Sequence, residues 1–193
     1  MEQQWYKSYQ QVVKSGKKWI FLYHILSDKQ KSGNMISLMG EYECRIDSKG
    51  RIMMPVGLKK QLPAEKSGAF VMNRGFEKCL VMYPQDEWNV ISEELNKLNL
   101  YSKKNRDFFR YFMRGATQLE LDSNGRFLIP RSLLDYADVE QDIVLFAYSN
   151  RIEVWNKNTY ENLLTDEPDD FANLAEEVMV NKNIGGTTTE HIS

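Results

Sequence analysis

From Glu41 the chain alternates polar side chains with Tyr42, Cys44 and Ile46, the two-residue period of a strand with one face buried. Asp47 to Gly50 breaks that period: a short carboxylate can accept backbone N–H groups two or three residues on, and glycine supplies the positive φ of a tight reversal. Ile52 to Met54 then reads as a short buried strand. Pro55 keeps its predecessor extended and opens a helix over Val56 to Leu62. Phe70 to Asn73 and Cys79 to Tyr83 read as a hairpin across Arg74-Gly75, followed after Pro84 by an amphipathic helix to about Leu98.

The order then recurs. A strand is predicted over Gln118 to Leu121, a turn over Asp122 to Gly125, a strand over Phe127 to Ile129 and a helix from Pro130, with further strands near Ile143 to Ala147 and Arg151 to Trp155. Between the two series, Asn105 to Met113 is predicted as a helix whose Phe108, Phe109 and Phe112 point inward. Arg106, Arg110 and Arg114 occupy a neighbouring face of it. A terminal helix over Phe171 to Val180 is expected to close the fold.

The recurrence is literal as well as structural. ECRIDSKGRIMMPVGLKKQL (Glu43 to Leu62) and QLELDSNGRFLIPRSLLDYA (Gln118 to Ala137) share Asp-Ser-x-Gly-Arg, three apolar residues and Pro. FVMNRGFEKCLVMY and DIVLFAYSNRIEVW follow the two copies at a slightly smaller offset. A whole supersecondary unit is therefore duplicated. Each unit is too small and one-sided to bury its apolar face alone. Two must pack together, giving a β-rich core with pseudo-two-fold symmetry and both turns in equivalent, exposed positions.

Composition adds constraints. With 193 residues, 42% of them hydrophobic, the chain can build one compact domain or two small ones, and a net charge of −2 argues against indiscriminate coating of nucleic acid. The charge is segregated, however. Residues 43–62 hold Arg45, Lys49, Arg51, Lys59 and Lys60 against Glu43 and Asp47, and residues 101–114 are also basic. Residues 161–180 carry carboxylates with no Lys or Arg. The two histidines, His24 and His191, lie outside the repeats, so no His-containing triad, zinc spacing or H-E-x-x-H motif exists, and no P-loop follows a strand. An enzyme is not expected, nor a cofactor, a metal or a small-molecule substrate. Cys44 and Cys79 sit in apolar runs and are expected to be buried thiols of a reducing compartment.

At the amino end, Lys14, Lys17 and Lys18 precede WIFLYHIL. That run is too short to span a bilayer and has no small-x-small cleavage site after it. Residues 1–38 are expected to be a poorly ordered extension, with a native start at Met35 or Met39. The remainder divides into a first unit over 39–100, a linking helix over 101–117, a second unit over 118–165 and a helical tail over 166–193.

DSKGRIMMP and DSNGRFLIP, preceded by MGEYE and RGATQLE, with NRGFEKCLVMYPQDEW between them and SNRIEVW near the end, resemble the MraZ family of tandem AbrB-like, swapped-hairpin transcription factors. The likeness spans about Met39 to Val180. It implies an α+β, strand-rich fold, a cytoplasmic and nucleoid-associated location, and assembly into a ring of many copies. It also implies binding to short direct repeats in double-stranded DNA upstream of the division and cell-wall gene cluster. The family's motif residues fall on Asp47 and Arg51, with Lys49 between them, and on Asp122 and Arg126, where Asn124 stands in place of the lysine. That lost charge makes the second turn the weaker candidate for DNA contact and a candidate for packing between copies.

Physically, an Arg fork held at the edge of a rigid turn could pair with guanine O6 and N7 in the major groove. Arg45, Lys49, Lys59 and Lys60 would lie near phosphates and set register. Asp47, Gly50, Asp122 and Gly125 would shape the turns. An internal Asp47–Arg51 ion pair remains the alternative for Arg51. Other functional classes are an oligomeric interaction scaffold and an antitoxin-like module.

Overall fold

In the computed structural model, residues 36–62, 68–165 and 175–176 are described. Of the expected extension over 1–38, residues 36–38 are among them, with Ile36 and Leu38 buried; the rest of it and most of the predicted helix over Phe171 to Val180 lie outside them. One compact unit runs to Lys157 and a second starts at Asn158.

Among the described residues the first unit has eight strands: β1 (Leu38–Arg45), β2 (Arg51–Met53), β3 (Ala69–Arg74), β4 (Leu80–Pro84), β5 (Thr117–Glu120), β6 (Arg126–Leu128), β7 (Asp142–Ser149) and β8 (Arg151–Asn156). Helix α1 (Val56–Lys59) follows Pro55, α2 (Gln85–Asn96) follows Pro84, and α4 (Arg131–Tyr136) follows Pro130; α3 (Lys103–Met113) joins the repeats. Each of these three prolines fixes an extended φ/ψ immediately before a helix, which is why the helices begin where the sequence places them. The second unit is described by itself as the continuation of α5 (Lys157–Thr165), an element absent from the sequence reading, with a helical pair again at residues 175–176.

The topology explains why the duplicated unit cannot stand alone. Six strands form an antiparallel sheet in the order β1-β7-β8-β4-β3-β5, and β2 pairs with β6 as a separate ribbon. Strand β1 of the first repeat runs along β7 of the second, Leu38 opposite Ser149 through Arg45 opposite Asp142. Strand β5 of the second runs along β3 of the first, Ala69 opposite Glu120. Each repeat thus lends its first strand to the other's hairpin. Exchanging equivalent strands (β1 with β5, β3 with β7, β4 with β8) and reading backwards returns the same order, so the expected pseudo-two-fold, swapped-hairpin core is present.

Alternation then sorts side chains to two faces. One face of the sheet presents Phe70, Met72, Leu80, Met82, Leu145 and Val154 to a core shared with Ile52, Leu58, Phe127 and Leu133 from the ribbon and short helices. On the other side, Phe112 of α3 stacks on Trp88 of α2 with centroids 5.9 Å apart, and Trp88 meets Tyr83 at 5.8 Å. The aromatic stripe of α3 is therefore core, Phe112 fully and Phe108 and Phe109 in part.

Strand β1 is a sheet edge, and its outer side is occupied near its start. The Gln61 amide accepts from the Met39 N–H and donates to the Met39 carbonyl, both at 2.8 Å, imitating a neighbouring strand. Cys79 is buried and Cys44 half-buried, both as free thiols; burial raises the pKa of each. Among the described residues no helix is long and apolar enough to cross a membrane.

Candidate nucleic-acid interface

The two Asp-Ser-x-Gly-Arg segments fold into the same turn. In the first, the Asp47 N–H donates to the Arg51 carbonyl at 2.9 Å and the Gly50 N–H to the Asp47 carbonyl at 2.9 Å. Asp47 Oδ1 accepts the N–H groups of Lys49 and Arg51, at 2.9 and 3.0 Å, and Oδ2 takes Arg51 Nε and Nη2, each at 2.7 Å. In the second, Asp122 Oδ1 accepts the N–H groups of Asn124 and Arg126 at 2.9 Å. Its Oδ2 takes Arg126 Nε at 2.9 Å and Nη2 at 2.8 Å. Gly50 and Gly125 hold φ of 81° and 74°, the left-handed region that the closing position of each turn demands.

The internal Asp47–Arg51 ion pair weighed as the alternative for Arg51 is present. Its guanidinium is ion-paired with Asp47 and oriented by it, which leaves Nη1 and the outer N–H of Nη2 as the edge directed away from the pair. Both charges stay about one-third exposed, so the pair serves mainly to position the fork. The Arg51 side-chain hydrogen bond is the largest cause that draws the Asp47 carboxyl down to about 2, followed by the Arg51 backbone N–H. Asp122 is lowered likewise, with the Arg126 backbone N–H first and its side chain second.

The ribbon joins the two turns into one surface. Arg51 lies opposite Leu128 and Met53 opposite Arg126, with Ile52 opposite Phe127 at the centre. The Met54 N–H donates to the Gly125 carbonyl and the Ile129 N–H to the Gly50 carbonyl, both at 3.0 Å. Period-two alternation buries Ile52 and Phe127 and turns Arg51, Met53, Arg126 and Leu128 outward.

The other predicted basic residues divide. Lys49 is exposed in the first turn, and Lys60 is exposed just past α1. Lys59 is exposed at the end of α1. Its Nζ lies 3.9 Å from where a Cβ on Gly125 would stand, at the second turn. The equivalent position beside Gly50 is filled by Leu134, which is buried. Arg45 ends β1 in an exposed ion pair with Asp142, 2.8 Å away on β7. In the basic stretch 101–114, Arg106 donates to the Leu100 and Tyr101 carbonyls and Arg110 pairs with Asp107, as befits a solvated helix face. Met53 and Leu128, each about half exposed between the arginines, are functional candidates that the sequence reading passed over. Their apolar character had read as strand core.

Two duplicated hairpins that exchange strands, with paired Asp–Arg turns on a common ribbon, define a tandem swapped-hairpin protein of the transcriptional-regulator class. The sequence matches the MraZ family, described as "MraZ protein, putative antitoxin-like", over residues 37–111 and 112–182. It is 48% identical over 155 residues to the transcriptional regulator MraZ of Christiangramia forsetii, covering 80% of this chain and all of that one. It is 49% identical over 150 residues to the transcriptional regulator MraZ of Flavobacterium psychrophilum (77% and 96%), and 38% identical over 141 residues to that of Natranaerobius thermophilus (73% and 96%). The chain belongs to the MraZ family and is a transcriptional regulator, not an enzyme.

Proposed function

We propose that this chain regulates transcription by binding double-stranded DNA directly, at short direct repeats upstream of the division and cell-wall gene cluster, as a ring-shaped homo-oligomer. The observation that carries this reading is the ribbon: two Asp–Arg turns braced by the same internal hydrogen bonds and brought side by side by β2 and β6. Arg51 and Arg126 supply the base-reading forks, while Lys49, Lys59 and Lys60 supply phosphate contacts that set affinity and salt dependence.

Lys59 of the first repeat stands beside Gly125, near the position where Asn124 lacks a charge, which supports assigning Arg126 as well as Arg51 to DNA, with packing between copies as the alternative for the second turn. One protomer with so few contacts binds weakly. In a ring, engagement of one repeat places neighbouring copies at high effective concentration over the next, and repeats about 10 bp apart present the same face of the duplex.

The test is fluorescence anisotropy of the intact protein and its Arg51→Ala variant on DNA upstream of its own gene, against scrambled DNA at matched salt. Selective binding that the variant loses while keeping its oligomeric mass supports the reading. Equal binding to both DNAs, or none, transfers the function to a protein-interaction scaffold.

A further inference from the structure

The outward face of the β2–β6 ribbon carries more than two arginines. Its rows are Arg51 beside Leu128 and Met53 beside Arg126. In both, the apolar member is 54% exposed. A methionine and a leucine left in water at pseudo-symmetric positions, while their strand neighbours Ile52 and Phe127 are almost wholly buried, are not explained by the core. Leu128 Cδ1 lies 3.7 Å from where a Cβ on Gly50 would stand, and Met53 Sδ lies 4.0 Å from the same point on Gly125. Each apolar side chain thus lies beside the other repeat's turn.

The occupant is constrained by what surrounds the pair. Lys49 is exposed in one turn and Lys59 reaches the other, with Arg51 and Arg126 at the corners, so the patch complements a polyanion. Two half-exposed side chains fall far short of the roughly 800 Å² that each partner of a stable protein interface buries. The major groove admits a two-stranded β-ribbon, and its one apolar feature is the C5-methyl of thymine. Residues two apart on a strand are separated by about 6.6–6.8 Å, close to two base-pair steps at about 3.4 Å each.

Resting on the DNA-binding reading above, we propose that Met53 and Leu128 are specificity-determining residues that contact thymine methyl groups. The ribbon then reads as a single unit: each row places one arginine fork and one apolar side chain across the groove, and the rows lie two base pairs apart. The pseudo-two-fold axis between them makes the second row repeat the first in the opposite strand direction. Specificity for thymine comes from shape and desolvation, which charge alone cannot supply.

Replacing thymine by uracil in the upstream DNA removes the methyls and nothing else, so anisotropy on the two duplexes is the direct test. The intact protein should lose about fourfold in affinity per contacted methyl. Met53→Ala and Leu128→Ala should bind thymine DNA more weakly and be less sensitive to uracil, and Met53→Leu should restore both. Selective binding that Arg51→Ala abolishes but uracil leaves unchanged would overturn this proposal while sparing the DNA-binding reading. An undiminished uracil penalty in both alanine variants would also overturn it, as would a loss of oligomeric mass that accounts for their weaker binding. Equal binding of the intact protein to upstream and scrambled DNA would remove both readings together.

Discussion

Asp47 and Asp122 brace their arginines through the same hydrogen bonds, but the surroundings of the two turns differ. At the first, a Cβ on Gly50 would stand 3.3 Å from the Ile129 carbonyl oxygen and 3.4 Å from Leu134 Cδ1. At the second, the nearest atoms to a Cβ on Gly125 are Lys59 Nζ at 3.9 Å and Met53 Sδ at 4.0 Å. The first turn is closed by backbone and a buried leucine, the second by a flexible ammonium and a thioether. Duplication has kept the geometry that aims the arginine and let the packing drift. The lesson is that the element shared by the two repeats is local, a turn closed by its own carboxylate, whereas the side chains packed beside it come from the other repeat and differ.

The comparison breaks most completely if the ribbon is hollowed. Phe127→Ala removes the larger of the two facing central side chains and should cost about 3–5 kcal/mol, with Ile52→Ala at about 2–5 kcal/mol. Thermal unfolding should show both turns lost in one transition. Separate transitions would mean that the turns are independent.

Gly50→Ala and Gly125→Ala sharpen the contrast. Each places alanine in the left-handed region at about 1–3 kcal/mol. The Gly50 variant should be the less stable of the two, because its Cβ meets a carbonyl that cannot move away. Equal losses in denaturant unfolding would show the difference in packing to be without consequence.

In DNA binding the turns are expected to act alike. Arg51→Ala and Arg126→Ala should each reduce base discrimination by about 1–3 kcal/mol, measured as upstream against scrambled DNA. A neutral Arg126→Ala would return the second turn to a packing role. Smaller still, Lys49→Ala and Lys59→Ala should each lower the slope of log affinity against log salt by about one.

The smallest effect is spectroscopic. The Asp47 carboxyl should titrate in the folded protein near its lowered value of about 2, and its midpoint should rise towards the ordinary 3.8 in Arg51→Ala, which removes the largest cause. Because the folded value is depressed, the contribution is present above the ordinary carboxylate pH and is lost as pH falls through about 2. An unchanged Asp47 midpoint in Arg51→Ala, followed by NMR, would show that the backbone N–H groups alone hold the carboxylate.

Much of the fold was legible in the sequence because its determinants are local. Alternation set the strands, prolines set the starts of α1, α2 and α4, and Asp and Gly at fixed spacing set both turns, with the observed bounds within a few residues of those predicted. The repeat itself required two units to share a core. Helix α5 was missed: its first turn holds no acidic residue and its helical stretch is short, so neither cap nor period stood out. The sequence alone determined the duplicated unit and its two Asp-Ser-x-Gly-Arg turns. Only the tertiary structure decided that Lys59 lies beside the second turn, that Arg45 pairs with Asp142, and that Met53 and Leu128 face outward between the arginines. These depend on the pairing of β2 with β6 and the crossing of β1 and β5 between repeats. Such contacts join residues from about 45 to about 110 positions apart, separations that no local period encodes.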